Sequence, residues 1–131
     1  MITSYILITS RVLSPDVISK IIKLAPTKER LIGSTGVYNK NPINYNSFEY
    51  SIVTNEDMLI DELQKKVTVL FHEKEDFFQE LVFHDTEIYI SLKLVIQIEN
   101  SQTPDLYFDN NFVKLLGSMN ASLDCDMYIM S

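Results

Sequence analysis

Ile88-Tyr89-Ile90-Ser91-Leu92-Lys93-Leu94-Val95-Ile96-Gln97-Ile98 is the stretch whose pattern decides the fold. Aliphatic side chains recur at every even position, while tyrosine, serine, lysine, valine and glutamine fill the odd ones. Successive side chains of a strand point to opposite sides, so this alternation gives one dry face and one largely wet face. Such one-sided burial is the behaviour of an antiparallel sheet rather than of a parallel sheet covered on both sides.

On the carboxyl side, Pro104 opens a short segment, Leu106-Tyr-Phe108, read as an optional short strand, and Asp109 or Asn110 caps a helix that uses Phe112, Leu115, Leu116 and Met119. A last strand follows. It carries Leu123, Cys125, Met127 and Ile129 on one face and Asp124, Asp126 and Tyr128 on the other.

On the amino side, Leu59, Leu63, Val67 and Leu70 mark a helix, with Thr54 or Asn55 as its cap and Glu56 and Asp57 in its first turn. Phe77, Phe78, Leu81 and Val82 continue the pattern past the charged segment Glu73-Lys-Glu-Asp76, which implies one long helix or two with a break near His72. Phe48, Tyr50 and Ile52 alternate as a strand. Before them, a strand near Arg30 to Ile32 leads into a long loop containing Gly33, Gly36 and Pro42.

Tyr5-Ile-Leu-Ile-Thr9 reads as the first strand. Ser14 then caps a helix with Pro15 at its first position and Asp16 beside the positive end of the dipole. Val17, Ile18, Ile21, Ile22 and Leu24 form its apolar face, and Pro26 stops it.

These elements predict a single domain over residues 1–131, an α+β two-layer sandwich of mostly antiparallel sheet with helices on one face. The first six elements have the ferredoxin-like βαββαβ order, extended by a further helix and strand. The chain of 131 residues, 46% hydrophobic and 22% charged, lies in the globular range.

Eighteen acidic against eleven basic side chains give a net charge of -7, which excludes a general nucleic-acid or anionic-membrane binder. The charge is uneven. Residues 1–40 hold six basic and two acidic groups, net +4, and residues 41–131 hold five basic and sixteen acidic groups, net -11. Either the two regions neutralise each other or each presents its own face. The single cysteine, Cys125, cannot form an internal disulfide, and no apolar run reaches membrane length, so a cytoplasmic protein is expected.

Landmarks along nearly the whole chain resemble one family. Ser14-Pro-Asp-Val-Ile-Ser-Lys-Ile-Ile-Lys-Leu-Ala-Pro-Thr27, the following Gly33, an acidic central helix, Pro104-Asp-Leu-Tyr-Phe108, Leu115-Leu-Gly-Ser-Met119 and Leu123-Asp-Cys-Asp-Met-Tyr128 are similar to the bacterial DUF4279 family. The resemblance implies a small bacterial α+β protein and brings no established reaction with it. Many relatives carry a tryptophan near the strand after the long loop, where this chain offers Phe48 or Tyr50. By analogy, small acidic proteins of this kind act as immunity partners of secreted toxins.

No constellation of catalytic residues emerges, and no cofactor is implied. Gly33-Ser-Thr-Gly36 lacks the lysine and hydroxyl residue that end a phosphate loop. Thr27, Lys28 and Arg30 nevertheless place a hydroxyl and two cations near Gly33, with Tyr38, Phe48 and Tyr50 close by, a candidate site for an anion or small ligand. His72, Glu75 and Asp76 share a helix face, and His84 and Asp85 follow, but without zinc-type spacing; no metal site is assigned. Cys125 reads as a core thiol.

Asp124, Asp126 and Tyr128 form the candidate interaction surface, the two carboxylates protecting an edge strand or facing cations from the first helix region. The leading expectation is a non-enzymatic module binding a basic protein partner such as a toxin. The alternative is a small-ligand or anion-binding domain built on the 27–36 loop. Tyr89, Val95, Tyr128 and Met130 on or beside the wet faces also admit a homodimer.

Overall fold

The structure, a computed structural model, describes residues 2–35, 41–52, 59–100 and 102–130. Its central feature is the alternating stretch, now strand β4 (Tyr89–Ile98), with Ile90, Leu92, Leu94, Ile96 and Ile98 all buried. β4 lies between β1 (Ile2–Ser10), to which it is antiparallel, and β5 (Ala121–Ile129), to which it is parallel. On the far side of β1 lie β3 (Asn46–Ile52) and the short edge strand β2 (Lys28–Arg30), both joined by antiparallel ladders. The sheet order is β2-β3-β1-β4-β5.

The register aligns the apolar positions of neighbouring strands. Ile6 stands opposite both Tyr50 and Leu92, Ile8 opposite Phe48 and Ile90, and Leu92 opposite Leu123. All point to the side taken by helices α1 (Pro15–Ile22), α2 (Ile60–His84) and α3 (Asn110–Ser118), whose buried residues join them in one core. A one-residue slip of any strand would turn its apolar set to water, so the register is strongly specified. The parallel β4/β5 pair requires a crossover, and α3 supplies it.

Local chemistry accounts for the helix ends. Ser14 Oγ accepts from Val17 N–H at 3.2 Å with Pro15 in the first turn, and Asp109 caps α3 by accepting from Asn111 and Phe112 N–H. α1 stops before Pro26. Lys23 adopts the left-handed conformation at φ 56°, and Ser19 Oγ donates to Leu24 C=O at 2.6 Å.

α2 is one continuous helix, which settles the choice left open at His72. Ile60, Leu63, Val67, Phe71, Phe78 and Leu81 form a single buried stripe, and Phe71 and Phe78, two turns apart, meet at 5.5 Å between ring centroids. Glu73 and Asp76 lie exposed between them, on the side away from that stripe. The expected caps Thr54 and Asn55, with Glu56 and Asp57, lie outside the described residues. The described helix starts after Leu59, which is exposed rather than on the buried face.

Two local expectations change. β2 lies two residues earlier than the predicted Arg30–Ile32 strand, because Ile32 N–H turns away to the Asn46 side chain and Leu31 and Ile32 are exposed. Leu106–Phe108 forms no strand. Its backbone is held instead by buried Gln64, which donates to Tyr107 C=O at 2.6 Å and accepts from Asp109 N–H at 3.1 Å. Among the described residues, no helix is long and apolar enough to cross a membrane.

Candidate functional site

With all three helices on one side, the odd-numbered side chains of β1 and β4 and their neighbours form an uncovered face. Tyr5, Leu7, Glu49, Lys93, Val95 and Gln97 lie half-buried along it, and Asp124, Asp126 and Tyr128 extend it onto β5. The cross-strand register sets Tyr5 against Lys93, Lys93 against Asp124, and Val95 against Asp126. Lys93 Nζ reaches Asp124 Oδ2 at 2.5 Å and lies 5.7 Å from the Tyr89 ring centroid.

That hydrogen bond with Asp124 raises the Lys93 pKa above its ordinary 10.5, against the opposing effect of burial. Tyr5 is raised above 10.0, first by burial and then by the charge of Glu49, with Lys93 pulling the other way. The cation assigned to Asp124 is therefore Lys93 of the adjacent strand, not a lysine or arginine of the first helix region. Asp126 is exposed and takes part in no ion pair among the described residues.

β5 has β4 on one side only, so its outer edge is open. α3 covers the first half of the strand, where Leu123 and Cys125 pack against the core. Beyond it the apolar side chains emerge. Met127, Tyr128 and Met130 are about half exposed and Ile129 is 81% exposed. Cys125, half-buried on the helix side, has its pKa raised above 9.0 by burial and then by the charges of Asp124 and Asp126, which keeps it a protonated thiol at neutral pH.

The residues proposed around the 27–36 loop do not converge. Thr27 is spent on structure, its Oγ1 accepting from Ser51 N–H at 3.0 Å and lying 3.2 Å from both Glu49 C=O and Ser51 Oγ. Lys28 and Arg30 share the uncovered face with Glu49 and Ser47, whereas Phe48 is 0% exposed in the core and Tyr50 packs against it from the helix side. Strand alternation puts the cations and the aromatics on opposite sides of the sheet. Gly33 has φ 86°, a conformation that a glycine adopts without strain, in a turn closed by Ser34 N–H to Leu31 C=O, and its own N–H donates across the loop to Ile43 C=O. Tyr38 and Gly36 lie outside the described residues.

A groove of about 1090 Å³ runs between α2 and α3, lined among others by Gln64, Thr68, His72, Tyr107 and Leu115. Among the described residues, no three histidine, cysteine or carboxylate side chains gather in a way that would hold a metal ion. The sequence reading missed Lys93, Tyr5 and Gln64. Their partners lie far along the chain, and only the sheet register and the docking of the 102–109 segment bring them together.

No curated protein and no solved structure matches the chain. The family model described as Domain of unknown function (DUF4279) matches residues 1–130. With that match running from the first strand to the end of the last, as the landmarks from Ser14 to Tyr128 suggest, the chain belongs to the DUF4279 family.

Proposed function

We propose that this protein is a non-enzymatic binding module whose contact surface is the uncovered sheet face and the open β5 edge. Its partner is a basic protein, and toxin neutralisation in the cytoplasm is the setting that fits best. The observation carrying this reading is the exposure of Met127, Tyr128, Ile129 and Met130 in a row beside Asp126. By strand alternation Tyr128 shares the uncovered face with Asp126 while Met127 and Ile129 emerge on the helix side, so apolar side chains flank the open strand end on both faces, as at edges that partner proteins cover. The acidic surroundings accelerate encounter with a basic partner and make the association rate fall with salt.

The strand order and pairing directions support a finer reading of the architecture as a ferredoxin-like βαββαβ unit with an added αβ. In that reading β5 widens the sheet and carries the interaction edge away from the helices. The small-ligand alternative at the 27–36 loop has less support, because its cations and aromatics lie on different sides of the sheet.

The test is capture from the source cell, including the products of neighbouring toxin-like genes, with the wild-type chain and with Asp126→Lys and Ile129→Asp variants. A basic protein retained by the wild type and released by both variants, with melting temperatures unchanged, supports the proposal. Retention of no protein, or retention indifferent to both substitutions, removes it.

A further inference from the structure

A second, smaller cavity of about 360 Å³ opens where β1 ends, β4 begins and α2 terminates, away from the β5 edge. Thr9, Ser10, Arg11, Tyr45, Asp85 and Glu87 line it. Its volume is at the lower end of the range for ligand pockets, about 300–1,000 Å³, which restricts an occupant to a small molecule.

Asp85 is the unusual member. It is 8% exposed and caps the carboxyl end of the 25-residue α2, its own N–H donating to Leu81 C=O. The carbonyl end of a long helix is the negative pole of its dipole, a position that disfavours an anion and favours a cation. Ser10 Oγ donates to Asp85 Oδ2 at 2.6 Å and Glu87 N–H donates to Oδ1 at 3.0 Å, which leaves acceptor capacity on both oxygens.

Among the described residues no cation pairs with Asp85 or Glu87, and no carboxylate pairs with Arg11. A nearly buried carboxylate at a helix's negative end, without a counter-cation, is electrostatically incomplete. Two carboxylates fall short of the donor set of a dedicated metal site, in keeping with the lack of any three-ligand group among the described residues. An ammonium group, which carries its own donors, completes the site without further protein ligands.

Arg11 in the same cavity supplies the opposite pole, and the exposed ring of Tyr45 supplies an apolar wall. We infer that this cavity binds a small zwitterion of the α-amino-acid type, its ammonium on Asp85 and Glu87 and its carboxylate on Arg11. Of its lining residues only Thr9 also belongs to the uncovered sheet face and none lies on β5, so the site stands apart from the β5 edge on which the proposed protein contact rests.

The experiment is calorimetric titration of the full chain with the free proteinogenic amino acids, followed by the N-acetyl derivative and the methyl ester of the best binder. Saturable binding of a free amino acid is expected, weakened by at least about tenfold on either modification, the scale of one lost charge-assisted contact. Arg11→Gln removes the discrimination between acid and ester, and Glu87→Gln weakens both equally. Both residues line the cavity's surface, and an unchanged melting temperature shows that the fold is intact. No saturable binding up to about 10 mM, a level corresponding to under about 3 kcal/mol of affinity, overturns the inference. So does equal binding of the N-acetyl derivative, or an acid-to-ester ratio unaltered by Arg11→Gln.

Discussion

Ser10 Oγ donates a 2.6 Å hydrogen bond to Asp85 Oδ2, joining the last residue of β1 to the cap of α2 across 75 positions of chain. The same hydroxyl accepts from Val12 N–H at 3.1 Å and Leu13 N–H at 2.8 Å, so one serine organises the β1–α1 turn and satisfies a buried carboxylate. Ser10→Ala leaves all three groups short of a partner. The expected loss is about 2–3 kcal/mol, the range for a buried hydrogen bond to a charged group together with unsatisfied amides. Asp85→Asn keeps an acceptor and removes a charge from the helix's negative end, so its cost is smaller. Urea unfolding of the two variants checks the order; a larger loss for Asp85→Asn would sink it.

The α2 stripe predicts a sharp contrast between two phenylalanines of the same helix. Phe71 is fully buried against Phe78, while Phe83 is 82% exposed. Phe71→Ala is expected to cost about 3–5 kcal/mol through lost burial and the cavity left behind. Phe83→Ala is expected to stay within about 0.5 kcal/mol of wild type. Chemical denaturation of both variants measures the difference, and equal effects would mean that the stripe has been assigned to the wrong side of the helix.

Much of this core was legible in the sequence. The even-numbered aliphatics from 88 to 98 fix a strand and its buried face, because a period of two has no other regular solution. The direction of a neighbouring strand leaves no such trace, and Leu123 and Cys125 would alternate in the same way beside β4 whether parallel or antiparallel. The continuity of α2 was ambiguous because Glu73-Lys-Glu-Asp76 interrupts the composition. It does not interrupt the stripe, since seven residues from Phe71 to Phe78 return to nearly the same side of a helix. The candidate sites were least legible. Asp124 and Asp126 were marked by their own spacing, but Lys93 against Asp124 and Ser10 against Asp85 depend on tertiary register.

The Lys93–Asp124 pair makes a prediction at alkaline pH. A lysine whose pKa is higher in the folded than in the unfolded chain binds its proton more tightly when folded. Its contribution is fully present below about 10.5 and is lost as pH rises through the raised folded value. Tyr5, raised above 10.0, acts in the same direction, so the wild type loses stability there for two reasons. Asp124→Asn removes the largest cause of the lysine's shift and only the smallest of those acting on Tyr5, so the comparison reads mainly the lysine. The stability gap between wild type and Asp124→Asn at pH 8 should narrow as pH passes 10.5, as read from melting temperatures across that window. A constant gap would contradict the pairing.

The Cys125 thiol gives the last prediction, at the border between core and surface. Burial is the first cause of its raised pKa and the neighbouring charges of Asp124 and Asp126 are the second, so thiolate is scarce near neutrality and the sulfur is partly shielded. Reaction with an aromatic disulfide reagent at pH 8 should therefore be slower in the folded protein than in the urea-unfolded chain. Asp126→Asn removes the smaller of the two repelling charges and should speed the folded reaction by about two- to fivefold, the scale of one screened surface charge. The variant should remain slower than the unfolded chain, because burial is untouched. If Asp126→Asn reacted as fast as the unfolded protein, charge rather than burial would govern the thiol. If folded wild type already did so, Cys125 would not pack beneath α3 as described.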